Sequence, residues 1–241
     1  MGRHGTIAGR KAAQDSKRAA VFTKYARAIM VAAKAGGDPA YNASLKNAID
    51  KAKGINLPKD KIEQAIKKGT GELAGDTLTE ARFEGYGPSG VAVIVDVLTD
   101  NMNRTTSSVK HIFDKNGGNM GTPGSVSYMF ERKGVILIER GAADEDSIME
   151  AGLDAGLEDI IDAEEYWEIL TAVEDVHTVA EALREAGFEL EQAEVDFIPN
   201  MTAEPKDEHA LKLLVKMIDS FDDDDDVQKV YTNCSVPLVL E

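Results

Sequence analysis

Lys17, Lys24, Arg27 and Lys34 are spaced to share one side of a helix. At about 3.6 residues per turn they line a single arc, and Phe22, Tyr25, Ile29 and Ala33 line the arc opposite. No acid stands between Lys17 and Lys34. A lysine face that meets only water normally carries interleaved acids for i,i+4 pairing. An acid-free cationic arc is suited instead to a polyanion, whose condensed counterions are released when its phosphates are neutralised. Arg18 lies off the arc near the helix start, and Arg3, Arg10 and Lys11 add charge ahead of it. Lys59, Lys61, Lys67 and Lys68 add more from a later helix. Charge reversal at Lys24 and Arg27 is expected to weaken polyanion binding and leave the fold intact.

The net charge of −16 argues against a phosphate partner until its distribution is considered. Residues 1–70 hold 15 of the 27 basic residues and five of the 43 acids, a net of +10. Residues 71–241 keep the other 12 and 38, a net of −26. Each folded unit presents its own field, so contact with a polyanion is expected at the front of the chain only. The acidic remainder is expected to orient the molecule or to meet a protein partner.

The elements that position these charges can be traced from period and punctuation. One helix is expected over Ser16–Lys34, with Asp15 or Ser16 as cap and Gly36-Gly37 as stop. A second covers Ala43–Lys53. A third begins at Pro58 and ends at Gly69, the usual order of Pro in and Gly out. Phe22, Ala26, Ile29 and Ala33, then Leu45, Ala48, Ile49 and Ala52, then Ile62, Ala65 and Ile66 form the apolar stripes of a three-helix bundle. Thr70–Thr79 is read as a linker.

Beyond it the period turns to that of strands. Ala81–Tyr86 and Val91–Thr99 are strands, Arg104–Lys115 a helix capped by Asn103, and Ser125–Glu131 a strand. Val135–Phe197 then runs strand, helix, strand, strand, helix, strand, the order of a ferredoxin-like plait. The helix and strand missing from the earlier group appear as Asp207–Phe221 and Val227–Thr232. The fold class is therefore α/β of the α+β kind: a helical domain over 1–79, a discontinuous ferredoxin-like domain over 80–132 and 203–241, and a second such domain, 133–202, inserted in it.

Other chemistries find little support. Gly85-Tyr86-Gly87-Pro88-Ser89-Gly90 fits G-x-G-x-x-G, but a strand follows where a dinucleotide fold needs a helix N-terminus. His4, His111, His177 and His209 stand far apart and none is spaced with Cys234 as a zinc pair. Asp222–Asp226 lacks the alternation and glycine of a calcium loop and reads as a solvated acidic turn. No nucleophile elbow, Cys–His pair or P-loop occurs. No catalytic residue, metal site or cofactor is therefore expected. Tyr128 and Phe130 share a face, but Val91–Val97 has no aromatic, so neither plait reads as an RNA-stacking platform. Met1, Gly2 and Thr6 match a permissive acylation pattern that a basic arm explains as well. No apolar run approaches a membrane span, no signal segment opens the chain, and a single cysteine fits a reducing compartment. A cytoplasmic location without membrane contact is expected.

The chain resembles the YebC/PmpR family over nearly its whole length. The residues that carry this are Arg10-Lys11-Ala12-Ala13-Gln14-Asp15, Lys17-Arg18, Gly36-Gly37-Asp38-Pro39 and Pro58-Lys59-Asp60. Further matches are Ala65-Ile66-Lys67-Lys68-Gly69-Thr70-Gly71, Tyr86-Gly87-Pro88, Thr99-Asp100-Asn101, Asn103-Arg104-Thr105, Gly117-Gly118-Asn119, Gly124-Ser125-Val126 and Asp225-Asp226-Val227-Gln228-Lys229-Val230-Tyr231. The resemblance implies three domains, one α/β domain inserted in the other, and a probable transcriptional regulator that binds DNA; the lack of catalytic motifs adds the expectation that it is not an enzyme. Some relatives, including the mitochondrial translational activator of cytochrome c oxidase, act on translation, so RNA or the ribosome is the alternative partner. Two departures stand out. Gly2-Arg3-His4-Gly5-Thr6 lacks the Trp with which the family's opening stretch usually ends, and Lys61 stands where the family commonly has Asn.

Overall fold

The computed structural model describes residues 21–73, 78–163, 166–236 and 238, with Ala43 described in its backbone only. The chain forms two compact units, Met1–Val126 with Ala203–Glu241, and Ser127–Thr202.

The first unit begins with three helices: α1 (21–33), α2 (Ala43–Gly54) and α3 (Lys59–Gly69). Ile29, Ala33, Leu45, Ile49, Ala52, Leu57, Ile62 and Ala65 form their shared core. Asn42 fixes the α1–α2 corner in two ways. Its side-chain oxygen accepts from Leu45 N at 3.0 Å, and its amide donates to Ala32 O and Gly36 O, both at 2.8 Å. Pro58 precedes α3, and Lys67 and Lys68 sit in its last turn, where cations offset the helix dipole. Small residues bring α1 and α3 close together. A Cβ at Gly69 would run into the Met30 carbonyl oxygen and lie 2.7 Å from Ala33 Cβ. Gly69→Ala is therefore expected to cost about 1–3 kcal/mol by overpacking, measured by urea unfolding.

The same unit continues into a four-stranded antiparallel sheet of order β3-β1-β2-β8. Its strands are β1 (Thr79–Tyr86), β2 (Ala92–Thr99), β3 (Asn119–Met120) and β8 (Val227–Thr232). Helices α4 (Met102–Lys115) and α7 (Glu208–Asp222) cover one face. Val93, Val95 and Val97 alternate toward them and meet Val109, Phe113, Leu214, Met217 and Phe221. Phe113 and Phe221 pack edge to face with centroids 5.1 Å apart. Gly85 makes room for this ring pair, since a Cβ there would fall 2.8 Å from Phe113 Cζ.

The second unit is β4 (Phe130–Glu139), α5 (Glu145–Gly152), β5 (Leu157–Ala163), β6 (Tyr166–Thr171), α6 (Val176–Glu185) and β7 (Gln192–Pro199). Its strand order, β5-β6-β4-β7, all antiparallel, is that of the ferredoxin-like plait. Ile136, Ile138, Ile148, Trp167, Ile169, Val179 and Leu183 fill the space between sheet and helices. The fold is thus mixed α/β: three helices, then a discontinuous α/β layer pair with a second inserted in it.

Two local expectations need correction. Ser125–Glu131 does not form a strand of the first sheet. Glu84, buried on β1, accepts from Gly124 N at 2.9 Å and Val126 N at 2.8 Å, which holds that segment as a loop. Ser127–Met129 is a 3-10 turn, and Phe130 and Glu131 already pair with Pro199 and Ile198 of β7. The edge strand of the first sheet is instead the two-residue β3, paired with Gly85 and Tyr86. The cap of α4 is Asn101, whose side chain accepts from Arg104 N at 3.1 Å, and not Asn103.

Candidate nucleic-acid interface

The described part of α1 carries Lys24 and Arg27 on a side that faces the split α/β layer of its own unit, and Lys34 follows its last residue. Arg27 Nη1 donates to Asp226 Oδ1 at 2.6 Å, to the Asp225 carbonyl at 2.8 Å and to the Leu98 carbonyl at 3.4 Å. Lys34 Nζ donates to Leu78 O at 3.1 Å, just ahead of β1. Burial pulls the Lys24 ammonium below its ordinary pKa, against the opposing pull of Asp222. Burial in turn pushes the Asp222 carboxyl up, against Lys24. Arg3, Arg10, Lys11, Lys17 and Arg18, and the expected cap at Asp15 or Ser16, lie outside the described residues.

The acidic run after α7 is therefore not a solvated turn throughout. Asp226 is buried and sits at the centre of a polar knot. It accepts from Thr105 Oγ1 at 2.6 Å, Thr99 Oγ1 at 3.2 Å and Arg104 Nη2 at 2.8 Å, besides Arg27. Burial alone would raise the Asp226 pKa, but the hydrogen bonds from Thr105, Arg104 and Arg27 outweigh it and hold the carboxyl below its ordinary value. Arg104, in the first turn of α4, also grips Asp100 at 2.7 Å. Ser108 donates to Asp224. Arg27, Arg104, Ser108 and Asp223–Asp226 line a cleft of about 420 Å³. Its cations are already matched by carboxylates. The expectation that Arg27 could be reversed with the fold intact does not hold, because Arg27→Glu sets a carboxylate against Asp226.

Within the described helical segment, the cations that face water are Lys34, just after α1, and the lysines of α2 and α3. Lys46, Lys51, Lys53, Lys59, Lys61, Lys67 and Lys68 are all exposed. Lys53 pairs with Asp50 at 3.1 Å and Lys59 with Glu63 at 3.9 Å. Exposed pairs of this kind are worth little and exchange readily. Among the described residues no carboxylate is within ion-pair distance of Lys46, Lys61, Lys67 or Lys68. Of the basic residues expected to bind, the structure places Lys59, Lys67 and Lys68 together on α3, turns Lys24 and Arg27 inward, and leaves Lys34 exposed with its ammonium on the Leu78 carbonyl. Sequence reasoning missed the role of Arg104 and Asp226. The signal available was an acid-free basic arc and an acid run elsewhere in the same chain, two halves of one seam.

His111, His177 and His209 are exposed on three different helices, and no group of three His, Cys, Asp or Glu able to hold a metal occurs among the described residues. No described helix is long and apolar enough to cross a membrane.

Comparison with known proteins bears on this arrangement. A family profile described as TACO1/YebC protein N-terminal domain matches residues 3–72. Another, described as TACO1/YebC second and third domain, matches residues 78–234. A probable transcriptional regulatory protein of Clostridioides difficile is 51% identical over 238 residues, 98% of this chain and 100% of the relative. One from Persephonella marina is 51% identical over 229 residues, 94% of this chain and 92% of the relative. The crystal structure of a conserved hypothetical protein from Aquifex aeolicus superposes with a TM-score of 0.83 at 42% identity, covering 92% of each chain.

Proposed function

The chain belongs to the TACO1/YebC family, and from that premise we propose that it regulates transcription by binding DNA without catalysing a reaction. The observation that carries this reading is the solvent-facing lysine surface of α2 and α3. The contact is made to the phosphate backbone by Lys59, Lys67 and Lys68, joined by Lys46 and Lys61. Arg3, Arg10, Lys11, Lys17 and Arg18 add to the charge available at that end. The names of the relatives, probable transcriptional regulatory proteins, supply the regulatory sense. Phosphate contacts set position and affinity and carry no base sequence by themselves. The acidic α/β layers repel the backbone and keep contact to the helical end, leaving their own surface to a protein partner. A cytoplasmic setting follows from that task.

Binding isotherms on duplex DNA at several salt concentrations test this. Log K is expected to fall linearly with log salt, by about 0.9 for each phosphate neutralised. A flat response overturns the reading. Binding confined to ribosomes or RNA, with no affinity for duplex DNA, transfers it to translation.

A further inference from the structure

Tyr41 stands out from every other large apolar side chain described. Its relative exposure is 92%, and the next highest is 61%, at Tyr128. Exposure alone carries no meaning, since single apolar side chains are common on surfaces. The backbone beneath Tyr41 is what distinguishes it. Asp38 Oδ1 accepts from Ala40 N at 2.9 Å, and Asp38 O accepts from Tyr41 N at 3.1 Å. The next residue, Asn42, is tied to α1 and caps α2. The backbone is thus pinned beneath a ring that projects into solvent, and the ring's hydroxyl has no hydrogen-bond partner among the described residues.

The loop also starts against the end of α3. A Cβ at Gly37 would lie 2.7 Å from Thr70 Cγ2 and 3.6 Å from Ile66 Cγ2. Gly37 therefore packs on the last turn of α3, which carries the exposed Lys67 and Lys68. The nearby acids are engaged: Asp38 holds the loop, and Glu72 accepts from Thr70 Oγ1 at 3.2 Å. An exposed aromatic ring on a loop that packs on the lysine-bearing last turn of α3 matches a nucleotide, whose base stacks while its phosphate is neutralised.

We propose that Tyr41 is a stacking platform for an unpaired nucleobase, whose flanking phosphates lie on Lys67 and Lys68. This rests on the reading that the helical end takes nucleic acid, and narrows it. Within a duplex every base face is covered by its neighbours, so the platform serves single-stranded, looped or extruded nucleotides only. A ring with two rotatable torsions loses little entropy when it is covered, which suits a rigid loop.

The test uses the full chain, a labelled 20-nucleotide oligo(dT), a 20-base-pair duplex, and fluorescence anisotropy at one salt concentration. Y41A is expected to weaken oligo(dT) binding by about tenfold and to leave duplex binding within about twofold. Y41W restores oligo(dT) binding, and its added emission is quenched on binding. Unchanged thermal unfolding of Y41A shows that the ring is not needed for the fold. If Y41A binds oligo(dT) as wild type does, or loses both probes equally, the platform is refuted and the nucleic-acid reading stands. If the wild-type chain binds neither probe, the nucleic-acid reading fails and the platform with it.

Discussion

Asp226→Ala lowers the unfolding free energy by about 3 kcal/mol, at the low end of the range for breaking a buried ion pair. The side chain is 5% exposed and receives two guanidinium groups and two hydroxyls. The partners do not lose equally. Arg104 is 51% exposed and keeps Asp100, so it turns to water at small cost. Arg27 is 17% exposed, and its remaining acceptors are the backbone carbonyls of Asp225 and Leu98. Thr99 and Thr105 keep each other at 2.7 Å. The cost therefore falls mainly on Arg27, which loses its only carboxylate partner among the described residues while packed against the split sheet. Asp225→Ala is the control, because Asp225 contributes its carbonyl to Arg27 and its side chain faces water. It should shift stability by no more than about 0.5 kcal/mol. Equal effects of the two substitutions in urea titrations would remove Asp226 from the seam.

The same site gives a pH signature. The Asp226 carboxyl is held below its ordinary value, so folding gains from its ionised form. That gain is complete above the unfolded pKa of about 3.9 and is lost as pH falls from there through the folded value. Asp222, four residues earlier, has the opposite sign. Burial raises its pKa, so the ionised form is a cost at neutral pH that is relieved as pH falls through the raised value. Asp226→Ala should accordingly flatten the acid limb of the stability profile below about pH 4 and leave its shape at higher pH alone.

Much of this architecture could be read from the chain. Pro58 and Gly69 bracket α3, and the helical stripes through Ile29, Leu45 and Ile62 point to the bundle core. The alternation of strand and helix between β4 and β7 gives the inserted plait in order. What local pattern cannot carry is which surfaces meet. A helical wheel assigns Arg27 an angle and no neighbour, and its carboxylate lies 199 residues away. The same limit hides Asp226, which looks like any other acid in a run of five. Ser125–Glu131 misleads for a related reason. Its alternation is real at Val126 and Phe130, both buried, but Glu84 captures the backbone N–H groups of Gly124 and Val126. Tyr41 gives no local signal, because an aromatic beside Asn42 fits a helix start as well as a surface platform.

Reversing Lys61, Lys67 and Lys68 to Glu together is expected to lower affinity for a duplex by roughly a hundredfold at moderate salt. The slope of log K against log salt should become shallower by about 2–3, near one for each phosphate that is no longer neutralised. All three side chains are exposed, and none has an ion-pair partner among the described residues, so the reversal touches no packing. New carboxylates in the last turn of α3 oppose the helix dipole and cost only about 1 kcal/mol. Arg27→Ala makes the contrasting variant. It weakens the seam with Asp226 and lowers stability, but leaves the salt slope where it was, because Arg27 neutralises a carboxylate of its own chain. The opposite pattern is the informative failure. If Arg27→Ala removes binding and the triple reversal does not, the polyanion is held by the inner arc of α1. Phosphate must then displace Asp226 from Arg27, and the seam opens each time the protein binds.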